Sequence, residues 1–338
     1  MKLKKKYINI LVSIGLVSIF VIVGLMFLKE PEKVVEEEKE EVIVKPTKKL
    51  KIIDLDSNTR PIGVMIDNVK GAWPQAGLEE AYLIYDISVE WGLTRLFAIF
   101  KDSNANYIGP VRSARHYYLD YAMENDVIYT HHGQSPQALR DLSVYKINHV
   151  VPAKRVSTWG HISPHNVFTS ISEINQLGKS LRKTTEKDNL LNYSVDTLSI
   201  SEEEDAMSAN KVNIKYSSSY SVRYEYNSSE GLYYRFINGN KHTDVESKKQ
   251  LTTTNIIIIN VKSYADPDNS DKGRITLVNV GTGNGYFVTN GHARPITWTK
   301  ASREAQTVYK YVDGEEIVVN DGVTYIQIQP LNQNSTFE

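Results

Sequence analysis

From about residue 51 onward the chain breaks into short apolar runs, and the rhythm of those runs changes near residue 200. Before that point, apolar stretches predict strands at Pro61–Asn68, Ala81–Glu90, Arg95–Lys101 and Asp126–His132. Longer periodic stretches predict helices at about 113–124, 134–142 and 170–184. After Asn210, ten strand-like runs follow one another as far as Gln329, beginning with Asn210–Tyr216, Ser221–Tyr226 and Leu232–Asn238. Turn residues sit between them, as in Asn238-Gly239-Asn240, Asp313-Gly314 and Asp321-Gly322. The fold class expected is α+β: a mixed α/β domain over 51–200, then a mostly antiparallel β domain over 201–338. The polar, acidic stretch Leu191–Asp205 marks the division.

The first 50 residues follow a different pattern. Tyr7 to Leu28 is a run of 22 residues without a charge, preceded by four lysines among the first six residues. As a helix it would span roughly 33 Å, enough for the ~30 Å hydrocarbon core. A cleaved secretory signal would have a shorter apolar region, about 7–15 residues, ending in small residues. This run ends in Gly24-Leu-Met-Phe-Leu28, which favours an uncleaved single-pass anchor. The lysines hold residues 1–6 in the cytoplasm and place the bulk of the chain outside. Residues 29–50 are a Glu/Lys-rich linker between Pro31 and Pro46 that reads as a spacer.

Composition narrows the function classes. With 39 Lys plus Arg against 40 Asp plus Glu, the chain lacks the basic excess of a general nucleic-acid binder. It has no cysteine, so disulfides, thiolate metal sites and cysteine nucleophiles are excluded. No cofactor motif passes its context test. Gly178-Lys179-Ser180 lacks the upstream P-loop glycine, and Ser180-Leu-Arg-Lys183 has no accompanying K-T-G or S-D-N. Gly281-Thr-Gly283-Asn-Gly285 precedes no helix and reads as a turn.

Candidate chemistry gathers at the carboxyl ends of the N-terminal strands. Asp67 and Asn68 end the first, Glu90 the second, and His131 and His132 the fourth, where open α/β sheets commonly bind ligands. Between them lies Gly109-Pro110-Val111-Arg112-Ser113-Ala114-Arg115. If the helix begins here, Ser113 caps it, and Arg112 and Arg115 add charge at its positive end, a set suited to a carboxylate or phosphate. The alternative is that each arginine pairs with an internal acid such as Asp67, Asp86 or Glu90 and ties the loops down. His131, His132, His161 and His165 suggest metal ligands only weakly, because Pro164 disfavours a regular helix between the last two. A triad of Ser113 or Ser135 with His132 or His165 and Asp67 has no support from spacing. Asp67 with Glu90 as a carboxylate pair for glycoside hydrolysis matches any two acids beside a cleft. The 21 tyrosines suit surfaces that are part apolar and part wet.

The motifs RPIGVMIDN (60–68), GPVRSAR (109–115), HHGQSP (131–136), SPHN (163–166) and GTGNGYFVTNGHARPITWTKAS (281–302) occur in order along the chain. Taken together they resemble the YerB-like lipoproteins of Gram-positive bacteria, whose N- and C-terminal domains have no assigned function. The resemblance spans essentially 51–330 and implies a shared site without naming catalytic residues. Motif positions carried over are Asp67, Asn68, Gln75, Glu90, Thr94, Arg95, Arg112, Ser113, Arg115, His132, Ser135, His165 and Asn166. One departure is the missing cysteine, which leaves the apolar helix in the place of a lipid. The function expected is a non-enzymatic, membrane-anchored extracytoplasmic protein binding an anionic envelope ligand, such as peptidoglycan, or an envelope-synthesis protein. The rival is a cell-wall hydrolase or transferase using Asp67, Glu90 and His132. No cofactor, metal or nucleic-acid partner is expected.

Overall fold

The central strands of the N-terminal half are buried along their whole length: β1 (Ile62–Asp67), β2 (Leu83–Ser88) and β3 (Thr94–Phe100). Complete burial explains why their sequences run apolar without alternating, since both faces of the sheet are covered. Met65, Tyr85, Ile87, Phe97 and Ile99 point into one core, while Val64, Ile66, Ile84, Leu96 and Ala98 point into the other. Gly63 is required within β1, because a Cβ there would come within 2.4 Å of the Phe97 ring. The computed structural model describes residues 49–266 and 272–338. The basic tail, the apolar run 7–28 and linker residues 29–48 lie outside the described residues. No helix among the described residues is long and apolar enough to cross a membrane.

The main sheet continues through β4 (Ile128–Thr130) and β5 (His149–Val150), each parallel to its neighbour nearer the centre. In the C-terminal half, β6 (Lys211–Lys215), β7 (Ser221–Asn227) and β8 (Leu232–Ile237) form an antiparallel meander. The chain then returns to the main sheet as β9 (Asn255–Ala265), β10 (Gly281–Thr289), β11 (His292–Lys300), β12 (Val308–Tyr311) and β13 (Thr324–Pro330). A last strand, β14 (Ser335–Phe337), pairs with β6. The order in the main sheet is β12-β11-β10-β9-β13-β2-β3-β1-β4-β5, so strands from both halves share one sheet. The junction is β13, which runs parallel to β9 on one side and to β2 on the other. The C-terminal half is therefore mostly antiparallel, with β13 and the short strand Val318–Asn320, which runs parallel to Asn192–Ser194, as departures.

The meander packs face-on against the main sheet. Its inward positions Val212, Ile214, Val222, Tyr224, Tyr233 and Ile237 are buried, and the alternate positions are not. On the opposite face lie α1 (Tyr118–Glu124) and α2 (Pro136–Val144), whereas Ile171 and Ile174 of α3 (Ile171–Leu177) join the core that the meander covers. Ser135 caps α2 and Ser170 caps α3, each accepting from a backbone N–H of the first turn.

Three local expectations differ from the fold. The first helix begins at Tyr118 rather than near Ser113, because the backbone before it is already committed: Arg112 N–H donates to Met65 O, and Ala114 N–H to Gly133 O. Residues 281–285 are not a turn but the start of β10. Their glycines admit close neighbours, since a Cβ at Gly283 would sit 2.6 Å from the Trp298 indole nitrogen and one at Gly285 2.1 Å from Ile258 O. The third helix is also shorter than expected, ending at Leu177 with Gly178 as its C-cap.

Candidate functional site

The ends of β1, β2 and β4 and the start of β3 bring the expected polar residues to one edge of the sheet. The Gly109–Arg115 segment crosses this edge as extended chain. Val111 bridges to Ile66 on β1, and Val111 N–H donates to Val167 O at 2.6 Å. His132 N–H donates to Arg112 O at 3.1 Å. Arg112 thus becomes the common neighbour of β1, the loop after β4 and the 152–167 loop.

At the centre is Asp67, 1% exposed. His165 Nδ1 lies 2.6 Å from Asp67 Oδ2, and Arg112 Nε lies 3.2 Å from the same oxygen. Arg112 also reaches Pro164 O at 3.5 Å. Both side chains remain partly open, 25% exposed for Arg112 and 21% for His165. His132 anchors through Nδ1 on Pro152 O at 2.8 Å. Nε2 of His132, Nε2 of His165 and Nη2 of Arg112 have no hydrogen-bond partner among the described residues. Lys70 and Arg155 are exposed nearby, one on the turn beside the His165 ring and the other bound to Asn166 Oδ1 at 2.7 Å.

A second cluster lies one step further along the same edge. Glu90 Oε1 accepts from Arg115 at 2.5 Å, and Glu90 Oε2 lies 3.7 Å from Arg95. Arg95 also donates to Ser113 O at 2.7 Å, and Arg115 to Ala114 O at 2.9 Å. Burial resists ionisation of Glu90, but Arg95 and Arg115 outweigh it and hold the carboxyl below its ordinary range. These arginines tie the loop to β2 and β3. Ser113 caps no helix, and Ser135 is spent as the cap of α2.

Beneath the edge, Asn68 is buried and fully used. Its Nδ2 donates to Thr94 Oγ1 at 2.8 Å and to the Tyr220 hydroxyl at 2.5 Å, while its Oδ1 accepts from Trp73 and Gln75. Gln75 Nε2 also donates to Asp67 O at 2.9 Å, and Gln75 Oε1 accepts from His242 Nε2 at 2.7 Å. His242 Nδ1 in turn accepts from Arg235, whose other nitrogen meets Asp86 Oδ2 at 2.6 Å. Burial, reinforced by Arg235, pushes the His242 pKa well down and keeps the ring neutral in this chain of bonds. Asp86 therefore pairs with Arg235 of the C-terminal half, not with Arg112 or Arg115.

Sequence reasoning missed Arg235, His242 and Trp73. One signal was available: in β8, Arg235 stands at the inward parity shared by Tyr233 and Ile237, where a charge needs a buried partner. His161, 4% exposed, bonds to Ala72 O at 3.2 Å, and no group of three or more His, Cys, Asp or Glu among the described residues could hold a metal ion.

An open mixed sheet backed by a small antiparallel sheet, with its polar residues gathered at one edge, defines the class of this protein as a mostly β module with a few short helices, not the balanced α+β arrangement expected. Residues 50–189 match the model described as "Protein of unknown function (DUF3048) N-terminal domain", and residues 212–326 the corresponding C-terminal domain. The chain belongs to this YerB-like family. It is 27% identical over 286 residues to "Putative lipoprotein YerB" of Bacillus subtilis, covering 80% of this chain and 81% of the relative. The crystal structure of the Bacillus subtilis YerB protein matches with a TM-score of 0.72 at 25% identity, covering 85% of this chain and 99% of that one.

Proposed function

We propose that this protein is a membrane-anchored extracytoplasmic binding protein that holds an anionic group of the cell envelope at the Arg112 edge. The observation that carries the reading is that His132 and His165 are each fixed through one nitrogen and Arg112 through two, while a further nitrogen of each has no partner among the described residues and the Arg112 and His165 side chains stay partly open to solvent. Arg112 Nη2 is a pre-fixed donor that loses little freedom when a phosphate or carboxylate arrives, and because each ring spends its Nδ1–H on an oxygen, the Nε2 atoms of His132 and His165 accept from a hydroxyl of the same ligand. Exposed Lys70 and Arg155 add positive charge around a single buried carboxylate, Asp67. The relative's name describes a lipoprotein, but this chain has no cysteine to accept a lipid. The apolar run 7–28 takes the role of the anchor in this reading, with 51–338 outside and the intervening residues as spacer.

The hydrolase alternative gains nothing from the geometry. Glu90 is engaged by Arg115 and Arg95, and Asp67 by Arg112 and His165, so neither carboxyl stands free beside a cleft. The test is co-sedimentation of the full-length protein, in detergent, with cell-wall sacculi carrying or stripped of their anionic polymers. Binding to the intact sacculi should be competed by phosphate and lost in Arg112→Ala. Equal retention of Arg112→Ala and wild type would sink the proposal.

A further inference from the structure

A cavity of about 400 Å³ lies apart from the Arg112 edge, between the start of α1, helix α2 and residues 264–266 and 276–280 of the C-terminal half. Its floor is polar and already organised. Arg303 donates through Nε to Asp120 Oδ1 at 2.6 Å, through Nη1 to Asp141 Oδ2 at 2.8 Å and through Nη2 to His116 O at 3.0 Å. Asn279 donates to the second Asp120 oxygen at 3.1 Å. Two groups are not consumed by this lattice. His116 Nδ1 is buried with no partner among the described residues. Arg140 bonds to Asp141 through Nε at 3.0 Å, while the rest of its guanidinium, on a side chain 66% exposed, has no partner among the described residues. The rim is apolar, with Tyr264 48% exposed and Val278 and Val280 38% each.

We propose that this cavity is a second binding site, one for a short uncharged saccharide. Carboxylates and guanidinium groups alternate around the floor, so an ammonium ligand would meet Arg140 and Arg303, and an anion would meet Asp120 and Asp141. A hydroxyl both donates and accepts, and a ring carrying several of them satisfies both kinds of neighbour. The apolar face of such a ring suits the half-exposed aromatic face of Tyr264. The volume falls in the lower part of the ~300–1,000 Å³ range of small-molecule sites. None of Arg112, His132 and His165 lines the cavity, so the proposal stands independently of the anion site.

The test is calorimetric titration of the full-length protein, held in a sugar-free detergent, with triacetylchitotriose, maltotriose and cellotriose. At least one should bind at a single site. Tyr264→Ala and Val280→Trp, both on the exposed rim, should each weaken it by about tenfold or more. Arg112→Ala should leave that Kd unchanged, and unfolding midpoints matching wild type would show that the rim variants remain folded. Three results would overturn the proposal: no binding of any of the three glycans, equal binding by both rim variants, or binding of putrescine or inorganic phosphate, and not glycan, that Val280→Trp abolishes.

Discussion

Two arginine–carboxylate pairs begin on strands of the same sheet and meet opposite surroundings. Asp86 on β2 and Arg235 on β8 lie 2.6 Å apart with both side chains fully buried. Asp67 at the end of β1 and Arg112 lie 3.2 Å apart, with the arginine a quarter exposed. The buried pair is one link in a chain through His242 and Gln75 that ends on the backbone carbonyl of Asp67. Almost every donor in that chain is consumed, which makes it a tie between the two sheets. The open pair keeps donors unspent. A buried pair costs several kcal/mol of desolvation per ion and, once built, cannot lose one member cheaply. In the Asp67–Arg112 pair the carboxylate is buried but the arginine is partly solvated, so its free N–H groups can turn to a ligand without leaving a charge stranded in the interior.

The largest expected effect tests the buried half of that contrast. Arg235→Ala should destabilise the protein by about 3–5 kcal/mol in urea unfolding, because Asp86 and His242 are left in the interior without their shared donor. Replacing both members, Asp86→Leu with Arg235→Met, should recover most of the loss. A single variant costing under about 1 kcal/mol would erase the distinction between the pairs.

Next comes an acid titration at the same sheet edge. His131 is 1% exposed, and burial pushes its pKa down to about 4 from 6.5. The unfolded chain binds the proton first, so stability is full above about pH 6.5 and is lost as the pH falls towards 4, by about 3 kcal/mol. Urea unfolding at pH 7 and pH 4.5 should show a smaller pH-dependent loss in His131→Asn than in wild type.

A smaller effect is expected where the two regions join. Gln75→Ala strands the buried groups of Asn68 and His242 and should cost about 1–3 kcal/mol. Because Gln75 also holds the Asp67 carbonyl, weaker sacculus binding should accompany the lost stability; unchanged binding would uncouple the tie from the site. The smallest change in stability belongs to Arg112→Ala, about 1 kcal/mol by thermal unfolding, because the guanidinium is a quarter exposed and His165 still holds the buried Asp67 carboxylate, although it should abolish the proposed anion binding.

The sequence made much of the sheet legible. The apolar runs at Ile62–Asp67, Leu83–Ser88 and Thr94–Phe100 were found nearly residue for residue, because strands buried on both faces leave an uninterrupted signal. Alternation in Ser221–Asn227 and Leu232–Ile237 marked a sheet with one covered face just as clearly. The misread stretches were those where backbone partners are distant. Residues 111–114 have helix-compatible side chains, but the N–H groups of Val111, Arg112 and Ala114 go to Val167, to β1 and to the loop after β4 in turn. Residues 281–285 look like a glycine turn because nothing local records that Trp298 and Ile258 press against them.

The same division runs through the candidate site. Local sequence placed Asp67, Asn68, Glu90 and His132 at strand ends, and hydrophobic periodicity determined that those ends exist. Which arginine meets which acid was beyond its reach: Arg112 and Arg115 had Asp67, Asp86 and Glu90 within range as possibilities, and each choice depends on strand order. Tertiary structure made the assignment by inserting β13 beside β2 and laying the β6–β8 meander over the sheet, which brings Arg235 to Asp86 across 149 positions of the chain. Hydrophobic burial acts on each residue alone and is written locally, whereas a charge pair is a relation between two residues and exists only once the chain has brought them together.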